Sequence, residues 1–594
     1  MSNGQPIGPT RFGKAVGILF IIGCIVLAGY FFKDTLFPKA KSQKSVNLDD
    51  FARQQKPQSP AGAGQHPAQN KKKKAAEAID PTGITTVSEY KYVPQEKLPP
   101  VKGVSNYKWD EKEKVVQFPI NVWIGWLPIV AANNGFAPNE ESVFFKKYGF
   151  KVNLKLIDDP VAARDAFASG NSHVLWGTLD MMVLFAPELM KDSRTAPRIY
   201  QQVDWSNGGD GIVVRSNISS VRDLKRKTIV YAQNSPSQYF INNLLLNAGI
   251  QPSEVTHKYT ATAFEAAAAF VSDPKIDACV SWAPDIYKIP ENVKNTRILT
   301  TTAEANKLIA DVWAARADFG KDHPDIIEGL VAGIFEGVRL LKDDTLKSKA
   351  LQWMAEGYGM SVDDVKGMIE DAHTTNFAEN KDFFMNANSP TNFERTWKNI
   401  TFVYKELGLL GTPVRFDEVM DFSVIKKLDE KGAFADMKNE YITSFSPISY
   451  SKVSAEKPII TQTIRINFYP NSANIFEPQH DELGNIIQNT LYDPNAAATL
   501  EKVARLSGQY ERAVIAVVGH TDSSMKGSVP RSEVEKLSQD RANAVKNALI
   551  KQYSFHPNKF VVSGKAWDVP ADPSDPMNQT LNRRVEISIF PPEK

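Results

Sequence analysis

The hydrophobic positions fall into three regimes along the chain. Residues 15–32, AVGILFIIGCIVLAGYFF, form one unbroken apolar run. From Val115 to about Leu428, short apolar runs alternate with amphipathic stretches. VVQFPINVWIGW reads as a strand closed by a glycine and an aromatic, and KVNLKLI alternates as a half-buried strand does. Asp159 as N-cap, Pro160 in the first turn and Gly170 at the end punctuate a helix over VAARDAFAS. SHVLWG is the next strand, and Thr178-Leu179-Asp180 opens another helix. KTIVYA precedes a helix capped by Ser235, with Pro236 in its first turn and Gly249 at its end; FEAAAAFVSDPKI leads to the strand DACVSWAP. Repeated βα units with short loops predict an α/β architecture with largely parallel sheets. In such sheets ligands bind at the carboxyl ends of strands, where helix N-termini offer free N–H groups.

The third regime begins near residue 460. RAVIAVVG is an apolar strand ending at Gly519, and the Ser532/Glu535 spacing of a capping box predicts that a helix starts there. On that helix Val534, Leu537, Arg541, Ala544, Val545 and Ala548 share one face, apolar except for Arg541. An arginine on a core-facing stripe needs an anionic partner, because an unpaired buried charge is very costly. Asp522, at the end of the preceding strand, either pairs with it internally or shares a zwitterionic ligand with it. In the second case Asp522 takes an amine and Arg541 a carboxylate.

GHTD (Gly519 to Asp522), LSxxRA (Leu537 to Ala542), GKAWDVP and NRRVEI (Asn582 to Ile587) resemble the OmpA-like peptidoglycan-binding domain, and INFYPNSANI (Ile466 to Ile475) resembles that family's first strand and turn. The resemblance covers about 460–594. It implies that Asp522 and Arg541 grip the diaminopimelate of a peptidoglycan stem peptide, with Thr521 and Arg584 nearby. The segment between HTD and LS is longer than usual, with Val534 where the family has Asn.

Composition narrows the function classes. With 594 residues, 42% hydrophobic and 23% charged, the chain has room for two or three domains with proper cores. A formal charge of +2, with no basic-aromatic stripe, argues against nucleic acid as a partner. The two cysteines are Cys24, inside the apolar run, and Cys279, inside an apolar strand, so no structural disulfide joins them. The run 15–32 is long enough to cross a bilayer as a helix. It reads as an uncleaved signal anchor in the inner membrane, a single pass with residues 1–14 as a cytoplasmic tail and the body in the periplasm. Two alternatives stay open: Ile21 to Cys24 fits a lipobox, which makes the protein a lipoprotein anchored through Cys24, and Val26 to Ala28 fits a cleavage site. Lys33, Lys39, Lys41 and Lys44 outnumber Arg11 and Lys14, which favours the opposite orientation, but that count is weak for long translocated domains. No Asp or Glu lies within 15–32, which argues against a proton-conducting stator. Residues 33–114 read as a disordered linker; its part from about Asp34 to Pro100, rich in Lys, Gln, Pro and Ala, spans roughly 40–50 Å as a coil of about 65 residues.

Three strand ends, GWLP (from Gly125), WGTLD (from Trp176) and SWAP (from Ser281), together with DLKRKTIVYAQNSPS and PKIDACVSW, resemble periplasmic substrate-binding proteins of ABC importers. The nearest group binds nitrate, sulfonates and thiamine precursors. The resemblance implies a bilobal flytrap over 115–428: a first lobe of about 115–208 plus the returning helices, a second of about 211–305, then a connector over 429–459. His173 and Arg226 depart from the pattern, standing where the family often has an acidic residue and a glycine. Trp126, Thr178, Asp180, Trp205, Asn207, Ser235, Ser237, Gln238, Trp282 and Asp285 lie at strand ends or helix starts facing the expected cleft. Hydroxyls and capped helix starts there suit a small anionic or sulfonate-like solute, and tryptophans a flat or aliphatic group. Asp180 and Asp285 argue against a purely anionic one. Each residue also has a plainer reading, a tryptophan as core plug and Ser235 as helix cap.

No histidine has metal-ligand spacing with another His or Cys, and no nucleophile elbow, P-loop or dinucleotide fingerprint is present, so neither metal, cofactor nor enzyme is expected. The chain reads as a membrane-anchored periplasmic solute-binding protein tethered to peptidoglycan, serving an ABC permease or a sensing partner. The alternative is an envelope scaffold whose flytrap is a protein-interaction module contacting other envelope proteins.

Overall fold

The computed structural model describes residues 84–94, 98–456, 458–466, 468, 471–480, 482–491 and 493–591. The run 15–32 with its anchor, lipobox and cleavage readings, the tail before it and the linker up to residue 83 lie outside these. Among the described residues no helix is long and apolar enough to cross a membrane.

Two sheets build the larger part. The first runs Ala372–Thr374, Pro197–Ser206, Ala310–Arg316, Val174–Thr178 from edge to edge, and every neighbouring pair in it is antiparallel. Beside it Val115–Ile120 and Lys151–Leu156 form a parallel pair. The second sheet runs Tyr92–Val93, Thr256–Thr260, Thr228–Ala232, Ala278–Trp282, Asp210–Arg215, Thr296–Thr301. Only its middle pairs are parallel. The largely parallel expectation therefore holds for the βα-connected strands and fails at the hinge. There the chain leaves the first lobe along Pro197–Ser206 and returns along Ala310–Arg316, and these two strands pair directly in opposite directions.

The helices follow their sequence signals unevenly. Asp159 caps Pro160–Ala168 as read, its carboxylate accepting from the N–H groups of Val161 and Ala162. Ser235 starts Pro236–Asn247 without capping it; its hydroxyl donates back to the Ala232 carbonyl instead. The expected capping box at Ser532 is also absent. That helix begins at Arg531 behind Pro530, and Glu535 pairs with Arg531. Arg226 sits at φ +65°, a left-handed turn in which glycine carries no steric cost.

In the last part of the expected linker, residues 84–94 and 98–114 lie ordered against both lobes, where composition suggests disorder. The Thr86 N–H and hydroxyl both donate to Asp285 (2.8 and 2.6 Å), and Tyr92–Val93 adds a strand to the second sheet. Further on, the fully buried Arg164 donates to the Pro99 carbonyl, and the equally buried Arg316 to the Ser105 carbonyl. Two things hold it: buried guanidinium groups need acceptors, which this backbone supplies, and Val87, Val101, Tyr107 and Trp109 pack against the core.

The carboxyl-terminal module has a four-stranded sheet in the order Ile460–Ile464, Val585–Phe590, Val514–Gly519, Phe560–Gly564, with the helices Ala496–Gln509 and Arg531–Tyr553. Val453, from the connector, packs with Val514, Ala516, Val518, Val561 and Phe590. The connector also carries Tyr441, stacked 3.8 Å from His373 and donating to Asn207 and to the Asn306 carbonyl at the hinge. All described residues belong to one compact unit.

Candidate functional site

Two glycines set the geometry of the carboxyl-terminal site. A Cβ on Gly519 would come within 1.9 Å of the Ser538 carbonyl oxygen, and one on Gly564 within 2.3 Å of the Glu535 carbonyl oxygen. Helix Arg531–Tyr553 therefore lies directly on the ends of two parallel strands. The HTD loop is pinned by its backbone: His520, Thr521 and Ser523 donate to the carbonyls of Arg584, Ala566 and Pro576 (2.9, 2.8 and 2.9 Å).

Asp522 is fully buried and accepts from the Ser524 N–H (2.8 Å) and the Arg583 guanidinium. Burial raises its pKa, but the Ser524 and Arg583 hydrogen bonds prevail and hold it below the usual carboxylate value. Arg541 is buried as its stripe position predicts. Its Nε donates to the Ser472 carbonyl (3.1 Å), and its guanidinium stands 5.2 Å from the Phe468 ring centre. Among the described residues it has no carboxylate partner in hydrogen-bond range. Burial and the neighbouring Arg583 lower its pKa, and Asp522 opposes them. Arg584 pairs with Glu586 at 2.7 Å and donates to the Val569 carbonyl, and Thr521 is buried. Phe468, His520, Arg541, Arg583 and Arg584 line a cavity of about 450 Å³. Sequence reasoning missed Arg583, which occupies the Asp522 oxygen assigned to a ligand amine. Its signal was the doubled arginine of NRRVEI.

In the larger part, the ten cleft candidates separate. Trp126 is a core plug, its indole N–H donating to Asn121 (2.8 Å), and Asp285 is taken up by Thr86. Trp205 packs edge-on against Phe383, and Gln238 accepts from the Asn234 N–H. Ser235 bonds its own turn as above. Asn207 is held at the hinge by Tyr441. Thr178, Asp180, Ser237 and Trp282 are buried at the inner ends of their elements.

Asp204, Asp210 and Asp311, which the sequence reading passed over, gather at the hinge with the candidate Asp180. Strand register sets Thr178, Asp311 and Asp204 opposite one another on three adjacent strands, and Asp210 opposite Trp282. Asp204 accepts from the Trp123 indole (3.1 Å), Asp210 from Ser206 (2.6 Å) and Asp180 from Tyr404 (3.2 Å). Burial pushes Asp204 and Asp210 up to about 7 and Asp180 up to about 6, with these hydrogen bonds opposing. Asp311 is raised further by burial and by its three acidic neighbours. Of the capped helix starts expected to suit an anion, Ser235 makes no cap.

His173 and Cys279 are core residues. The His173 Nδ1 accepts from the Gln117 N–H and its Nε2 donates to the Lys108 carbonyl, with burial bringing it down to about 4. Cys279 is buried, and burial raises its thiol well above its ordinary value. Among the described residues no group of His, Cys, Asp or Glu is arranged to hold a metal ion.

Residues 468–584 match the OmpA family, and residues 135–344 match the NMT1/THI5-like family. Outer membrane protein Omp38 of Acinetobacter baumannii is 28% identical over 153 residues, which is 25% of this chain and 37% of that protein. This chain thus spans little more than a third of that relative's length. Among solved structures, the periplasmic aliphatic sulphonate binding protein SsuA from Escherichia coli is 16% identical, covering 51% of this chain and 96% of its own, with a TM-score of 0.40. The periplasmic nitrate-binding protein NrtA from Synechocystis is 12% identical, covering 56% and 93%, with a TM-score of 0.41. The chain joins in one polypeptide an α/β segment that matches the NMT1/THI5-like family and a carboxyl-terminal segment that matches the OmpA family.

Proposed function

We propose that this chain is a cell-envelope protein that fixes a solute-binding flytrap to peptidoglycan in the periplasm, with residues 15–32 as its inner-membrane anchor. The observation that carries the wall half is Arg541. It is a buried guanidinium held by Nε on a backbone carbonyl, without a carboxylate partner among the described residues, and it lines a cavity with two more arginines. A diaminopimelate side chain brings a carboxylate for Arg541 and an amine that competes with Arg583 for Asp522, while Arg584 and Thr521 support the rim and floor. Co-sedimentation with purified sacculi tests this. Wild type pellets, and Arg541→Ala and Asp522→Ala stay in the supernatant; variants that pellet as wild type does refute the assignment.

The flytrap half is a binding function rather than a catalytic one. Its solute is delivered to an importer or reported to a sensing partner. A second reading, an envelope scaffold, is favoured by one observation: both lobes are bridged from outside. Residues 84–94 and 98–114 bond to them, and helix Ala496–Gln509 meets both. Glu501 accepts from Arg395 (3.0 Å), and Asn243, Asn399 and Arg505 share a cavity of about 140 Å³. A ligand panel read by thermal shift separates the two readings: saturable stabilisation supports the receptor, and none across the panel supports the scaffold.

A further inference from the structure

Resting on the receptor reading, we infer that the solute of this flytrap is an organic cation, a primary amine or a guanidinium, gripped by carboxylates at the hinge. Asp204 and Asp311 face each other across adjacent strands at the carboxyl end of Val174–Thr178, and Asp180 opens the helix that follows that strand. Asp210 begins the first strand of the second lobe. The four thus come from both lobes and meet where the lobes join. They lie close enough to act on one another electrostatically, and none pairs with a Lys, Arg or His among the described residues. Burial favours the neutral form of these carboxyl groups, and a cation among them supplies the counter-charge that lets them ionise.

A second observation concerns hydrogen bonding rather than charge. The Oδ1 of Asp210 is buried without a donor, although its Oδ2 is satisfied by Ser206. The Ser237 hydroxyl, in the first turn of Pro236–Asn247, is also buried without a partner and can accept a hydrogen bond. Such orphaned groups are rare in protein interiors. An ammonium brings three N–H donors, and a guanidinium five in a planar fork that matches a carboxylate. A metal ion fits less well, since no metal-holding group occurs among the described residues. Nitrate or a sulfonate brings acceptors only, which leaves the Asp210 oxygen without a donor.

Thermal shift and titration calorimetry on the full chain test this with five probes: agmatine, putrescine, nitrate, methanesulfonate and a neutral aminopyrimidine. Agmatine or putrescine raises the melting temperature saturably, and Asp210→Asn weakens that binding by at least about tenfold. Asp180→Asn, read in the same way, covers the case in which Asp210→Asn does not fold by circular dichroism. Binding of nitrate, methanesulfonate or the pyrimidine with no response to the amines overturns the cation inference and leaves the receptor reading standing. No binding by any probe overturns both. Equal amine binding by wild type and a folded Asp→Asn variant also overturns the inference.

Discussion

Replacing Asp210 with asparagine should stabilise the protein at high pH and leave it unchanged at low pH. In the unfolded chain this carboxyl titrates near 4; in the folded one burial pushes it from 3.8 up to about 7. Between those values the native state keeps a proton that the unfolded state releases, so stability falls as pH rises and stops falling above about 7. A shift of about three units at about 1.4 kcal/mol each sets an upper figure of about 4 kcal/mol for this one group at pH 8. The asparagine side chain has no charge to desolvate, and its carbonyl oxygen can still accept from Ser206 as the carboxylate does. Asp204, Asp285 and Asp371, each raised to about 7 mainly by burial, act with the same sign, so the wild type should show a clear slope. The assay is chemical denaturation of wild type and Asp210→Asn at pH 5, 6.5 and 8. The expected result is equal stability at pH 5 and a more stable variant at pH 8. A wild type indifferent to pH across this range, or a variant less stable than wild type at pH 8, would refute the reasoning.

Three further perturbations have distinct readouts. Gly519→Ala drives a methyl into the Ser538 carbonyl, so denaturation should show a loss of about 2 kcal/mol or more together with lost sacculus binding. Arg226→Gly removes a side chain from φ +65° and should raise stability by up to about 1 kcal/mol in the same assay. Thr86→Val deletes one of two hydrogen bonds to Asp285, worth about 1 kcal/mol, and limited proteolysis should cut within 84–114 about fivefold faster.

Much of this fold was legible because the punctuation of its helices and strands is strong. Asp159-Pro160 and the apolar run before Gly519 mark their elements without help from distant residues, and Arg541 stood out as the one charge on an apolar helical face. The parts that were missed depend on partners far away in sequence. The end of the 33–114 segment has a linker's composition, and what fixes it is distant in sequence: Arg164, Arg316 and Asp285, between about 60 and 210 residues away, and the core against which Val87, Tyr107 and Trp109 pack. Asp311 lies in the apolar run IADVWAA, a polar residue inside a buried strand, which was a readable signal; Asp204 as its neighbour was not, because strand pairing decides it. Ser235 looked like a cap and is not one, since its hydroxyl found the Ala232 carbonyl first.

The central claim is that the carboxyl-terminal cavity recognises diaminopimelate through Arg541 and Asp522. Its most direct test is calorimetric titration of the full chain with a diaminopimelate-containing stem tripeptide and with the same peptide carrying lysine in that position. The account predicts saturable binding of the first, weaker binding of the second, which lacks the extra carboxylate, and no binding of either by Arg541→Ala. Equal affinity for both peptides, or a heat signal unchanged in Arg541→Ala, would contradict it.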